Sequence, residues 1–566
     1  MRSSRLIAVA VLLGAAAVSA GAVRSPAAAT KPAARPNVVV LMTDDQTVES
    51  LRVMPNVKRL LVDRGTTFDS SFVSFPLCCP SRATFLTGQY AHNHGVLANH
   101  PPFGHTALDH SNTLPVWLQR AGYLTGHVGK YLNGYGDRDR QEVPPGWTEW
   151  HAAPADSAFR YYDYTLNENG RLVEYGSGPG AYQTDVYARK AVELVSRWAP
   201  GKQPFFLSVA FLAPHSGGAR PSGRPGAAAV PAPRHSVRFA REGLPMPPSF
   251  NEADVSDKPS FVRSLPRLSP LGVDDATERY RLRLASLLAV DDALAAIAAE
   301  LARHGELDET LIVFTSDNGF FHGEHRIPSG KNYIYDPAIR VPLVMRGPGV
   351  PAGLRLRQQV ANVDLAPTIV AASGAKPGRV MDGRSLWPLL RDPGIFWGRD
   401  LLLESAPPAG RSLAAVAVRT PKWMYAQYFT GEAELYDLSK DPYELRSLHA
   451  NVTAARIRGD LADRLSRLRS CVGADCRVGV AVTTKVRVTG ACPVAGAEVE
   501  VVGPDADTVD RVRFLVNGRE LATDDAAPFR LVLPLRMRPS YVRAHSVLVD
   551  GREVTRDRRL PGCARA

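Results

Sequence analysis

Three predominantly apolar runs organise the chain, and each one ends in polar residues. Val38-Val39-Val40-Leu41-Met42 leads into Thr43-Asp44-Asp45, Phe205 to Leu212 into Ala213-Pro214-His215, and Thr310 to Thr315 into Ser316-Asp317-Asn318-Gly319. Continuous runs of this kind predict strands covered on both faces. In open α/β sheets, ligands bind beyond the carboxyl ends of strands, so the three tails are candidates for one site. Neighbouring side chains on a regular strand point to opposite faces. Asp44 and Asp45 can therefore share a ligand only where the strand breaks into its loop. The local alternative is an Asp pair that caps a helix.

Helical periodicity fills the intervals. Residues 114–122 form an amphipathic pattern closed by Gly122, followed by a short strand, Tyr123 to Val128, that delivers Gly129-Lys130. Tyr161 to Gly170 predicts a hairpin turning at Asn169-Gly170, and Gln183 opens a helix to about Trp198. Tyr280 to His304 carries Leu284, Leu287, Leu288, Leu294, Ile297 and Leu301 on one stripe, as expected for a helix packed on a sheet. Residues 216–270 are rich in Gly, Pro and Arg with little periodicity, and the expectation is a loop rimming the site that follows His215. From about 477 the pattern changes to short alternating runs at Val480–Val488, Val499–Val502, Val512–Val516, Phe529–Leu533 and Val542–Val549. Turn signals stand at Asn517-Gly518 and Asp550-Gly551. This predicts a small all-β, Ig-like sandwich over 477–566 that serves as a spacer, a stabiliser or a glycan- or wall-binding module.

Composition bounds the rest. At 566 residues with 45% apolar content, at least two domains are expected. Arg2 and Arg5, an apolar run from Leu6 to Val18 and the small residues Val18-Ser19-Ala20 read as a signal peptide over 1–22, with a Pro/Ala-rich tether over 23–36. An uncleaved anchor is the competing reading, and no later run is long enough to span a membrane. The mature chain is expected to be secreted, with a main domain over 37–470 whose smaller C-terminal part starts near 395. The net charge of +12 favours anionic substrates, and without a basic block there is no nucleic-acid signal. Cys471, Cys476, Cys492 and Cys563 read as two disulfides among three connectivities, with Cys471–Cys476 and Cys492–Cys563 as the expected pairs; a four-thiolate zinc site is the rival.

The chemistry centres on residues 77–88, Leu-Cys-Cys-Pro-Ser-Arg-Ala-Thr-Phe-Leu-Thr-Gly. Pro80 suits the first position of a helix ending at Gly88, which puts Cys78 near the N-cap. There an oxyanion would meet free N–H groups, with Arg82 one turn on. Two buried structural cysteines are the plain alternative. Asp44, Asp45, Asp317 and Asn318 supply hard oxygen donors, a set for Ca²⁺ or Mg²⁺ and not for zinc.

Cys78, Cys79, Pro80, Ser81, Arg82 and Leu86-Thr87-Gly88 resemble the signature of the type I sulfatases, and Arg340-Val341-Pro342-Leu343 with Met381-Asp382-Gly383 resembles that family's later landmarks. The resemblance covers about 36–450. It implies an alkaline-phosphatase-like fold, with a central, mostly parallel sheet between helices. It also implies that a formylglycine-generating enzyme oxidises Cys78 to formylglycine, and that Ca²⁺ is held by Asp44, Asp45, Asp317, Asn318 and an oxygen of the Cys78 aldehyde hydrate. In the implied reaction the hydrate attacks sulfur, Arg82 assists, and Lys130, Lys331 and His215 neutralise the sulfuryl oxygens. Lys130-Tyr131-Leu132-Asn133 lacks the histidine that many relatives carry two positions after the lysine. It resembles the glucosamine-6-sulfatase and extracellular glucosamine-endosulfatase branch, which implies 6-sulfated glucosamine as substrate. The other readings are a generic arylsulfatase acting on aryl sulfates, a formylglycine-dependent phosphodiesterase or phosphonate monoester hydrolase, and an inactive glycan-binding protein.

Overall fold

Every residue of strand β1 (Asn37–Thr43) is buried, because the strand has a core on each side. Alternation sends Val39 and Leu41 into one core and Val38, Val40 and Met42 into the other. The computed structural model describes residues 35–217, 228–395, 397–406, 414–477, 482–489, 496–503, 506–534, 540–549 and 553–560. The segment read as a leader, Cys492 and Cys563 lie outside the described residues.

β1 is central in a ten-stranded sheet with β2 (Thr66–Phe68), β3 (Leu124–Gly129), β4 (Glu149–Ala152), β5 (Tyr164–Glu168), β6 (Arg171–Tyr175), β7 (Phe205–Ala210), β8 (Thr310–Ser316), β9 (Leu343–Arg346) and β10 (Leu354–Leu356). The order is β10-β2-β9-β8-β1-β7-β3-β4-β5-β6. The middle, from β8 through β4, is parallel, and β9, β5 and β6 run antiparallel to their neighbours. One face is covered by α2 (Gln183–Trp198) and α3 (Pro270–Arg303), the other by α1 (Cys78–Thr87) and the helices Leu114–Arg120 and Leu365–Ser373. This is the α/β sandwich that the sequence predicts. The ends of β1, β7 and β8 are tied together where Asp44 N donates to Ala213 O (3.3 Å) and Asp317 N to Thr43 O (3.1 Å).

Two helix starts differ from expectation. α1 begins at Cys78, so Pro80 is its third residue and not its first. The first helical bond is Ser81 N to Leu77 O, 3.0 Å, and the earlier N–H groups have no partner within the helix, so proline costs nothing there. Gly88 closes the helix in the left-handed region. α3 starts at Pro270, ten residues before Tyr280, because Ser269 caps it through Gly272 N and Pro270 occupies the first turn. Of the expected loop, 218–227 lies outside the described residues; the part around Asn251 and Glu252 packs against Gly323 and His325.

Gly129 shows how tightly the strand ends are built. It has φ +112°, and a Cβ there would sit 2.0 Å from Ala210 O. Gly129→Ala is expected to lower the thermal midpoint, at a cost of more than about 1 kcal/mol, because Lys130 N must keep its bond to the same carbonyl. An unchanged midpoint in a melting curve would refute this.

Beyond the main sheet, Leu401–Ser405, Ala415–Arg419, Trp423–Tyr428 and Ala433–Asp437 form a four-stranded antiparallel sheet backed by the helix Ala455–Leu468. Cys471 and Cys476 are disulfide-bonded, as expected. Two antiparallel sheets follow, of three and four strands, around a shared core that includes Val499, Val512, Phe514 and Val542. Among the described residues no helix is long and apolar enough to cross a membrane.

Candidate active site

The strand ends place their side chains around one buried point. Asp44 lies wholly buried at the end of β1, and Asp45 then turns into the left-handed region, φ +68°. That break is what lets two consecutive carboxylates converge. Asn318 Nδ2 donates to Asp45 Oδ1 (2.6 Å), and Asp45 N donates to Asp317 Oδ1 (3.1 Å). His215, past β7, has its Nδ1 2.6 Å from Ser216 O and its Nε2 3.7 Å from Asp45 Oδ2, while Tyr161 OH donates to the His215 carbonyl. Lys130, past β3, pairs with Asp44 and lies over the Phe159 ring.

Helix α1 closes the point from the other side. The Cys78 thiol donates to Asp44 Oδ1 at 3.5 Å, and Lys331 Nζ donates to Cys78 Sγ at 2.8 Å while pairing with Asp45. Arg82 bonds Asp317 Oδ2 (2.8 Å), Asp44 Oδ2 (3.4 Å) and the Lys130 carbonyl (2.7 Å). All nine residues singled out from the sequence thus form one network. Among the described residues, the closest set of metal-ligating types is Asp44, Asp45, Cys78 and His215. Asp317 and Asn318 adjoin that set through Arg82 and Asp45.

Electrostatics follow from the packing. Burial would raise the Asp44 carboxyl, but Lys130, His215, Lys331 and Arg82 hold it well below its ordinary range. Burial and the Asp44 charge push the Cys78 thiol up to about 12. A thiol this weakly acidic is not a thiolate nucleophile at neutral pH. Burial takes His215 down to about 4 against the pull of Asp44 and Asp45, leaving a neutral imidazole.

The donor set fits a hard divalent cation: carboxylates and an amide surround the point, and Asn318 Oδ1 is a buried acceptor without a hydrogen-bond partner. Three carboxylates face three cationic side chains, Arg82, Lys130 and Lys331, so an added anion with its cation keeps the charge near balance.

One residue of the site lies outside the set that the sequence singles out. Arg283 is buried on α3, donates to the Asp45 carbonyl and, at 3.0 Å, to the Pro214 carbonyl, and stacks on Phe320 at 4.0 Å. Its signal was available: with Tyr280, Leu284 and Leu287 it occupies the i, i+3, i+4, i+7 stripe of an otherwise apolar face.

The chain matches the family model described as Sulfatase over residues 36–375, and the model for the C-terminal region of N-sulphoglucosamine sulphohydrolase over 323–471. An arylsulfatase of Volvox carteri is 34% identical over 528 residues, covering 83% of this chain and 79% of that one. Human N-acetylglucosamine-6-sulfatase is 32% identical over 489 residues, 78% of this chain and 86% of that one. A solved structure described as a complex with its substrate, D-glucosamine-2-N,6-O-disulfate, superposes with a TM-score of 0.65 at 25% identity over 77% of this chain and 97% of the other.

Proposed function

The chain belongs to the sulfatase family and is a sulfuric ester hydrolase, and from that premise we propose that it removes the 6-sulfate of glucosamine units in glycans. In this reading Cys78 is converted to formylglycine by a formylglycine-generating enzyme, and the chain is exported behind the 1–22 leader. The observation that carries the reading is the position of Cys78: buried, uncharged as a thiol, and in contact with Lys331 and Asp44 inside a ring of cations and carboxylates. Formylglycine, as its hydrate, would supply an oxygen nucleophile there, which an inert thiol cannot.

Asp44, Asp45, Asp317 and Asn318 would hold the divalent cation, a set of hard oxygens that suits Ca²⁺ or Mg²⁺, with Ca²⁺ the ion that the family resemblance implies. When bound it supplies Lewis-acid stabilisation of charge on oxygen. The protein's own groups do the rest. Lys130 and Lys331 neutralise the sulfuryl oxygens, in a dry site where such donors need no reorganisation. Arg82 fixes Asp317 and Asp44 relative to Cys78, and His215 presents its Nε2 toward the same point with its ring held by Ser216. Arg283 positions the Asp45 backbone.

The sugar assignment draws on Lys130-Tyr131-Leu132-Asn133, on the human relative named for N-acetylglucosamine 6-sulfate and on the solved neighbour whose described substrate is a 6-O-sulfated glucosamine. The Volvox relative, named an arylsulfatase, supports the second reading. Sulfate release from 6-sulfated glucosamine oligosaccharides, compared with an aryl sulfate and a matched phosphonate ester, separates them. The expected order of kcat/KM is sugar sulfate first and phosphonate last. Turnover of the aryl sulfate alone would replace the sugar assignment by the aryl one.

A further inference from the structure

A cavity of about 380 Å³ opens beside the loop that follows Asp45, with Thr47 in its lining. Its walls are largely apolar, including Phe320, Pro337 and Tyr443, and Glu324, His325 and Glu444 supply polar groups. Phe320 is the same ring that stacks on Arg283, so the cavity is one side chain away from the group that holds Asp45.

Two of its lining groups are unsatisfied. His325 and Glu444 are each 1% exposed, and His325 Nε2 and Glu444 Oε1 have no hydrogen-bond partner. The other end of each group is anchored: His325 Nδ1 lies 2.7 Å from Glu252 Oε2, and Asp336 N donates to Glu444 Oε2 at 3.0 Å. Both residues also hold positive φ, +50° and +56°, a conformation that the surroundings must impose on non-glycine residues. Buried polar atoms of this kind call for a ligand or an ordered water.

The chemistry of the walls selects the ligand. Besides Glu324 and Glu444, Glu49 and Asp336 line the cavity, and its one arginine, Arg340, donates to the Asp69 carbonyl at 2.7 Å. Glu49 and Asp336 are themselves paired with Arg52 and Arg419, so the lining is charge-compensated. It offers flat apolar surface for the C–H face of a sugar ring and an imidazole and a carboxyl for its hydroxyls. We propose that this cavity is a second carbohydrate subsite, which takes an unsulfated hexosamine unit. The proposal rests on the reading of the substrate as a glycan.

Titration of the full-length protein with N-acetylglucosamine, by calorimetry and saturation-transfer NMR, tests it. Binding is expected, with Kd raised about tenfold or more by Tyr443→Ala and by Glu444→Gln, and unchanged by Lys130→Ala. Tyr443 is 44% exposed, so its truncation tests the cavity without emptying a core. Absence of binding, binding that survives both cavity variants, or binding abolished by Lys130→Ala would overturn the proposal. Sulfate release from the 6-sulfated oligosaccharides with no N-acetylglucosamine binding sinks the subsite alone. Binding without sulfate release leaves the subsite standing and sinks the substrate assignment.

Discussion

Cys78→Ala is expected to lower sulfate release by about 10⁴-fold or more while leaving the thermal midpoint nearly unchanged. The two halves of this expectation have separate causes. Activity goes because nothing else in the buried ring offers an oxygen nucleophile held by the protein: Asp44 and Asp45 are paired with lysines, and Asp317 is paired with Arg82. The fold survives because Cys78 is the first residue of α1, where its N–H makes no helical bond, and alanine is a good helix former. The side chain gives up only its contacts with Lys331 and Asp44, and those two keep their own ion pair. A large drop in the melting curve would mean that the lost activity reports on folding and not on chemistry.

Removal of the divalent cation is the second large effect. Chelation is expected to reduce sulfate release about a thousandfold, corresponding to several kcal/mol of lost charge stabilisation, and added Ca²⁺ is expected to restore it. Asp45→Asn should reproduce the loss and weaken restoration by Ca²⁺. It is a cleaner variant than Asp317→Ala, which would remove the nearer of the two carboxylates paired with buried Arg82 and leave only Asp44 at 3.4 Å. Full activity after exhaustive chelation, with the metal content verified as negligible, would rule the cation out of the reaction.

The parts of this site that could be read in the sequence are those with a local signature. A predominantly apolar run that stops at Asp44-Asp45, at Pro214-His215 or at Asp317-Asn318 announces both a doubly covered strand and the residues at its carboxyl end. Lys130 follows from a short strand, and Cys78 with Arg82 from a helix start. Their convergence depends on β1 lying between β7 and β8, a pairing no single segment encodes.

The features without a local signature are non-local or half-exposed. The strand Arg519–Asp524 is mostly exposed, and Glu553–Leu560 buries only Val554 and Leu560, so neither shows an apolar run. The sheet Leu401–Asp437 packs on a helix from further along the chain. Arg283 stands on an apolar stripe, and its role is not local, because its partners, the carbonyls of Asp45 and Pro214, are supplied by loops far away in sequence. The cavity of His325 and Glu444 needed tertiary structure, since it is lined from the loop after β1, the segment around Phe320 and the turn at Pro442.

The mass of the peptide spanning Leu77 to Gly88, taken from protein purified with its sulfate-releasing activity intact, bears most directly on the chemistry assigned to Cys78. Formylglycine at position 78 is the expected species, captured as an adduct by an aldehyde-specific reagent. An intact thiol at Cys78 throughout fully active protein would contradict it.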